Sequence, residues 1–277
     1  MTVKSLADRV RMNNGVEIPQ VGLGVWRANE GAETRDAVRW ALEIGYRSID
    51  TASLYANERS VGEGFRDSGL KREDVFITTK VWNDQQGYEK TLAAFDNSLR
   101  ELQLDYVDMY LLHFPVPGLY LDSWRALEKL YGEGRVKAIG VSNFHPYHLD
   151  NLLSHCTVKP MVNQIELHPY LTQKGNLQHN PARDILVEAW APIAKGRVLG
   201  EPVITRLAEK YGKTPAQIVL RWELQLGIII IPKSVHRERI EENSKIFDFE
   251  LTPEEMLDID GLDRNGRIGV DPDKVEY

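Results

Sequence analysis

The stretch from Arg47 to Glu58, R-S-I-D-T-A-S-L-Y-A-N-E, decides how the chain is to be folded. A short apolar run stops on a carboxylate, because Asp50 follows Ile49 directly, and Tyr55 stands in the segment beyond. A charge there sits where a strand leaves its sheet, and such positions face solvent or chemistry. Outward from this point, short β-branched runs recur along the chain at residues 21–25, 48–50, 75–80, 107–113, 138–142, 161–166, 186–189 and 228–231. Between them lie amphipathic stretches such as A-E-T-R-D-A-V-R-W-A-L-E-I-G, where Ala37, Val38, Ala41 and Leu42 line one helical face and Gly45 closes the end.

Strand–helix alternation about eight times over, with no composition break or linker, specifies a closed parallel (β/α)8 TIM barrel rather than an open sheet. A chain of 277 residues suits one such barrel, so residues 1–277 are expected to form a single domain. The rival doubly wound dinucleotide fold needs G-x-G-x-x-G; Gly22-Leu23-Gly24 is followed by Val25-Trp26-Arg27, and the third glycine is missing. Near the start, Asn14-Gly15 is flanked by apolar residues and accepts the positive φ values of a type I′ turn, which predicts an N-terminal β-hairpin. Thr214-Pro215-Ala216-Gln217 and Thr252-Pro253-Glu254-Glu255 each combine a hydroxyl cap, a first-turn proline and a capping-box side chain, the second opening an extra C-terminal helix. Over residues 174–184, Gly175-Asn176 and His179-Asn180-Pro181 interrupt a helical pattern, and a broken helix is expected there.

Composition narrows the function. Apolar residues at 42% and charged residues at 27% describe a folded, enzyme-like chain, and a formal charge of -7 opposes nucleic acid and anionic lipid as partners. The single Cys156 cannot form an internal disulfide and reads as a small hydrophobe. The start, MTVKSLADRV, lacks the apolar core of a signal peptide, and Ile228 to Ile231 is too short to span a bilayer, so a cytoplasmic monomer is expected.

A barrel builds its active site where the strands stop at the carboxyl face. The second predicted strand stops at Asp50 with Tyr55 just after, the third ends T-T-K at Lys80, and the fourth ends L-L-H at His113. Each residue alone has an ordinary reading as a loop cap, surface aromatic, solvated strand end or packed histidine. Together they can deliver a proton to an oxygen: an ammonium beside the phenol stabilises its phenolate and lowers its pKa, Asp50 pairs the ammonium, and a neutral His113 donates an N–H to a carbonyl oxygen.

The motifs S-I-D-T-A-x-x-Y-x-N-E, I-T-T-K-V-W, L-L-H, G-V-S-N-F and I-P-K-S, in that order over the whole chain, closely resemble those of the aldo-keto reductases. The resemblance implies NADPH-dependent reduction of small aldehydes, ketones or dicarbonyls, with Tyr55 as general acid, Lys80 and Asp50 tuning it, and His113 orienting the carbonyl. It implies that Ser142, Asn143, Gln164 and Trp190 hold the nicotinamide, with Gly24, Val25, Trp26, Pro192 and Val235 also at the cofactor. The residues themselves agree: amide groups complement a carboxamide, and Trp190 offers a flat face. Lys233, Ser234 and Arg239 are implied at the adenosine 2′-phosphate and Glu242 and Asn243 at the adenine. Ser234 would cap a helix whose free N–H groups attract phosphate, which favours NADPH over NADH.

Trp26, Trp82 and Phe114 are expected to ring Tyr55 with apolar surface. Family members often carry tryptophan where this chain has Phe114, so a roomier pocket is expected. The short loop F-P-V-P-G-L-Y-L-D-S-W resembles that of prokaryotic members reducing 2,5-diketogluconate, methylglyoxal or glyoxal. Two other readings compete. A metal-dependent barrel hydrolase would draw on Asp50, His113, His145, His148 and His168, but it wants paired histidines early in the barrel, where Gly22-Leu23-Gly24 stands, and no metal is expected. A redox sensor would keep barrel and NADPH without turnover.

Overall fold

Gly24 marks the seam at which the sheet closes. In the computed structural model, which describes residues 3–275, eight parallel strands pair in chain order: β3 (Leu23–Gly24), β4 (Ser48–Asp50), β5 (Phe76–Val81), β6 (Val107–Leu112), β7 (Val136–Ser142), β8 (Val162–Glu166), β9 (Leu186–Trp190) and β10 (Ile229–Ile230). The ends join through parallel bridges Val21–Ile230 and Gly24–Lys233. Backbone bonds from Gly22 N–H to Ile230 O at 2.9 Å and from Gly24 N–H to Pro232 O at 3.2 Å complete the closure. A Cβ at Gly24 would stand 2.8 Å from Ile231 O, so a side chain there would wedge the seam open. The result is a (β/α)8 barrel.

Among the described residues, ten α-helices occur in chain order: α1 (Ala32–Ile44), α2 (Glu58–Asp67), α3 (Tyr88–Leu102), α4 (Tyr120–Gly132), α5 (Pro146–Leu153), α6 (Lys174–His179), α7 (Pro202–Tyr211), α8 (Pro215–Gln225), α9 (Arg237–Asn243) and α10 (Pro253–Asp260). α1 buries Ala37, Val38, Ala41 and Leu42, and Gly45 ends it. Both capping boxes form: Gln217 N–H donates to Thr214 Oγ1 at 3.4 Å before α8, and Glu255 N–H donates to Thr252 Oγ1 at 3.3 Å before α10. The segment 174–184 is interrupted as its proline dictates, since α6 lasts six residues and a 3-10 turn, Pro181–Arg183, follows.

The hairpin β1 (Arg9–Arg11) and β2 (Glu17–Pro19) floors the barrel at the amino ends of its strands. Asn13 Nδ2 donates to Pro160 O at 3.0 Å and to Asp184 O at 3.1 Å, while Asn14 Nδ2 reaches Lys137 O at 2.9 Å. Its turn differs from the type I′ expectation. Only Gly15 takes a positive φ, 87°, and Gly15 N–H bonds Met12 O at 2.9 Å, the arrangement of a three-residue loop closing on a left-handed glycine. The reason is that Asn14 spends its side chain on the barrel floor, which the local dipeptide pattern does not reveal.

One interior group strains this packing. Glu223 on α8 is fully buried, and neither carboxyl oxygen has a hydrogen-bond partner among the described residues. Burial pushes its pKa well above the ordinary 4.5, so the folded protein holds it neutral. Above the unfolded-state pKa the unfolded chain releases this proton and the folded chain keeps it, so stability falls as pH rises through that window. Glu223→Met, apolar and unbranched, is therefore expected to stabilise the fold by about 1–3 kcal/mol. Thermal melts should show a larger gain at pH 8 than at pH 5; a loss of stability at both would contradict this.

Candidate active site

Lys80 lies inside β5 and is wholly buried, and its three hydrogens each have an acceptor. Nζ donates to Asp50 Oδ1 at 2.6 Å, to Thr51 O at 2.8 Å and to the Tyr55 hydroxyl at 3.3 Å. Asp50 ends the adjacent strand β4, and Tyr55 closes a 3-10 turn, Ser53–Tyr55, just beyond it. That turn is stitched to β5 by Ser53 Oγ, which donates to Lys80 O at 3.0 Å and accepts from Trp82 N–H at 3.2 Å.

The loop carrying Tyr55 is anchored by residues whose roles the strand-end reasoning left out. Asn57 is completely buried; its Nδ2 donates to Val25 O at 2.9 Å and Ala28 O at 3.1 Å, and its Oδ1 accepts from Thr51 Oγ1 at 2.8 Å. Glu58 accepts from Thr79 Oγ1 at 2.6 Å. The signal for both was present in Y-x-N-E, but a polar residue in a loop gives no hint that it is buried.

His113 follows β6 and faces the Tyr55 ring, with centroids 5.8 Å apart. Trp82 meets His113 edge-on at 5.0 Å and Phe114 at 6.0 Å, so three of these aromatics share one wall with Tyr55. Trp26 instead keeps its ring beside two cations, 4.4 Å from Arg27 and 4.8 Å from Lys195.

The electrostatics follow from enclosure. Burial holds His113 well below its usual range, and Lys80 adds to the effect, so the imidazole is neutral. Its Nδ1 is buried without a partner among the described residues. An orphaned lone pair is tolerated more readily than an orphaned N–H, which puts the hydrogen on Nε2. For Lys80, burial pulls the pKa down, but Asp50 and Tyr55 outweigh it and the net shift is upward. For Tyr55 the sequence led us to expect a lowered value; burial, the larger effect, raises it, and Lys80 only draws it part of the way back.

Ser142, Asn143, Gln164 and Trp190 meet at the ends of β7, β8 and β9. Asn143 Nδ2 donates to His113 O at 2.9 Å and Ser142 Oγ at 3.1 Å, and Trp190 Nε1 donates to Asn143 Oδ1 at 2.9 Å. Gln164 turns its Nε2 inward to Asp50 Oδ2 at 2.8 Å and to Glu188 Oε2 at 3.0 Å. Glu188, a buried acid in mid-strand, escaped the sequence reading because only strand ends were searched. Val25 and Pro192 are buried, and both backbone polar groups of Val25 are paired, to Asp50 O and Asn57 Nδ2.

After β10, Lys233 and Arg239 are exposed, and neither lies within ion-pairing distance of a carboxylate among the described residues. The expectation that Ser234 caps a helix is corrected. The cap of α9 is His236, and Ser234 Oγ accepts from His236 N–H at 3.1 Å in a local turn two residues too early. Val235 is half-buried, Asn243 is buried, and Glu242 Oε1 accepts from Thr214 Oγ1 at 2.9 Å.

The histidines of the metal reading are scattered. His168 pairs with Glu166 at 3.0 Å, and His145 and His148 build the start of α5. Among the described residues, the group with metal-ligand spacing is His145, Asp271 and Asp273, which includes neither Asp50 nor His113.

A closed barrel with an ammonium, a carboxylate, a phenol and a neutral imidazole at the carboxyl ends of its strands has the plan of a barrel enzyme. A model described as the Aldo/keto reductase family matches residues 20–264, and the chain belongs to that family. It is 52% identical over 273 residues to the glyoxal reductase of Bacillus subtilis (strain 168), covering 99% of both chains. It is 53% identical over 267 residues to the 9,11-endoperoxide prostaglandin H2 reductase of Trypanosoma cruzi, covering 95% of this chain and 94% of that one. A Gox0644 mutant solved in complex with NADPH superposes with a TM-score of 0.93 at 44% identity, covering 98% of this chain and 99% of its own.

The C-terminal segment also reaches this site. Glu166 accepts from Ile268 N–H at 2.6 Å and Gly269 N–H at 3.0 Å. A Cβ at Gly269 would stand 2.3 Å from Trp190 Cη2 and 2.8 Å from Glu166 Oε2. Gly269→Ala is therefore expected to lift the segment off Trp190, so hydrogen–deuterium exchange over residues 266–270 should speed up severalfold. Unaltered exchange would show that the close approach is not needed.

Proposed function

We propose that the protein reduces small aldehydes, ketones or dicarbonyls to alcohols with NADPH, and that the Tyr55 hydroxyl delivers the proton. The observation that carries this reading is the arrangement of Lys80 Nζ, 2.6 Å from Asp50 and 3.3 Å from the Tyr55 oxygen. Because the Tyr55 oxygen accepts from Lys80, its own hydrogen is free to point at a carbonyl oxygen. Burial keeps the phenol protonated, and Lys80 stabilises the phenolate left after transfer. His113 donates from Nε2 to the same carbonyl oxygen and fixes its approach. Trp82 and Phe114 exclude water from the reacting atoms.

The residues fit NADPH. When bound, it supplies the hydride that no side chain can. With Nε2 turned inward, Gln164 presents Oε1 to a carboxamide N–H, and Trp190 presents its face to the nicotinamide ring. Lys233 and Arg239, exposed and beyond ion-pairing distance of a carboxylate among the described residues, suit the 2′-phosphate. Glyoxal-sized dicarbonyls are favoured as substrates by the activity named for the Bacillus subtilis relative. The endoperoxide named for the Trypanosoma cruzi relative agrees with a permissive site. The reacting groups all come from one chain, which suits a monomer, and the unpaired Cys156 suits a reducing cytoplasm.

Tyr55→Phe is expected to lower kcat for glyoxal or methylglyoxal reduction by roughly 100-fold or more, with NADPH affinity within about twofold of wild type. Steady-state NADPH oxidation and fluorescence titration measure the two; normal turnover in the variant would refute the assignment. Lys233→Ala combined with Arg239→Ala should weaken NADPH binding by roughly tenfold or more while NADH changes little. Equal losses for both cofactors would remove the case for 2′-phosphate recognition.

A further inference from the structure

Glu188 sits in β9 beneath the proton-donating group, 1% exposed, and the reaction as described above makes no use of it. It is joined to the site by one side chain, since Gln164 Nε2 spends one hydrogen on Asp50 Oδ2 and the other on Glu188 Oε2. Two carboxyl groups, Asp50 at 2% and Glu188 at 1% exposed, therefore share an amide and a single ammonium, Lys80. Ionising both would leave a net negative charge in low dielectric, so one of them keeps a proton. Asp50 touches Lys80 directly at 2.6 Å; Glu188, a step further away, is the one held protonated. Burial first, and then the Asp50 charge, push its pKa up to about 8.

The groups facing Glu188 are few. Among the described residues, Asp50 from β4 and Lys80 from β5 are the charged groups acting on it, with Tyr55 beyond Lys80. Neighbouring β10 contributes apolar Ile229 at the paired position. Glu166, two residues beyond Gln164 on β8, is engaged with the C-terminal segment.

We infer that Glu188 is a positioning residue for carbonyl reduction: held protonated, it fixes the Gln164 amide with Nε2 inward and leaves the Lys80 charge to Asp50 and Tyr55 alone. This rests on Tyr55 being the proton donor. When Glu188 ionises, its charge opposes formation of the Tyr55 phenolate, and Tyr55 becomes a weaker acid. Reduction then slows at a pH set by Glu188, before Tyr55 itself titrates.

The test is the pH profile of kcat for methylglyoxal reduction between pH 6 and 10, each enzyme normalised to its own maximum. Wild type should show an alkaline inflection near pH 8, with a fall of roughly threefold or more across it. Glu188→Gln, which keeps the shape and cannot ionise, should lose that inflection and hold its plateau further. A wild-type profile without the inflection overturns the inference even if the variant does not fold, and so does an inflection that persists in Glu188→Gln. An active Tyr55→Phe enzyme would remove the proton-donor reading and this inference with it. An inactive Tyr55→Phe enzyme with an unaltered Glu188→Gln profile would remove the inference alone.

Discussion

The buried Lys80–Asp50 ion pair is the interaction on which the rest of the site depends. Taking an ammonium and a carboxylate out of water costs several kcal/mol per ion, and only close contact with further hydrogen bonds offsets it. The barrel meets both conditions, because the ion pair is 2.6 Å long and Lys80 also reaches Thr51 O and the Tyr55 hydroxyl. No hydrogen on Nζ is left over. A lysine so completely satisfied has one geometry, and that geometry fixes where the Tyr55 oxygen must lie. The outcome is a phenol whose acidity results from burial pushing one way and a fixed charge pulling the other.

Converging this cluster requires five barrel strands. β4 supplies Asp50, β5 supplies Lys80, His113 follows β6, β8 supplies Gln164 and β9 supplies Glu188. Strand ends alone would leave the Tyr55 loop free to move. Asn57 holds that loop to the one after β3 with two side-chain hydrogen bonds and to Thr51 with a third, Ser53 ties it to β5, and Glu58 anchors the start of α2 against Thr79. On the far side of the mouth, Glu166 holds Ile268 and Gly269 against Trp190. The polar residues nearest the Lys80–Asp50 pair thus serve mainly to fix loops.

Much of this was legible in the chain. The strand runs, the α1 face, both capping boxes and the break near Pro181 follow from local periodicity and turn chemistry, which act over a few residues and leave direct traces. The convergence of Asp50, Lys80 and His113 could be read because a parallel barrel brings the ends of its strands together. What stayed hidden depends on partners far away in sequence. Glu188 looks like any polar residue in a strand until Gln164 and Asp50 are seen beside it. Ser234 reads as a helix cap, yet the chain turns for two more residues before α9 begins. Asn14-Gly15 reads as a tight turn, yet Asn14 is claimed by Lys137 O across the barrel floor. The upward shift of Tyr55 is likewise a property of enclosure, which a list of neighbouring charges cannot supply.

Everything at this site turns on the Lys80 charge acting on the Tyr55 oxygen. Carbon-13 NMR of ring-labelled tyrosine, titrated in the wild-type protein and in Lys80→Met, measures that coupling without relying on turnover. The Tyr55 phenol is expected to ionise at distinctly higher pH once the ammonium is gone. Coincident titration curves for Tyr55 in the two proteins would contradict it.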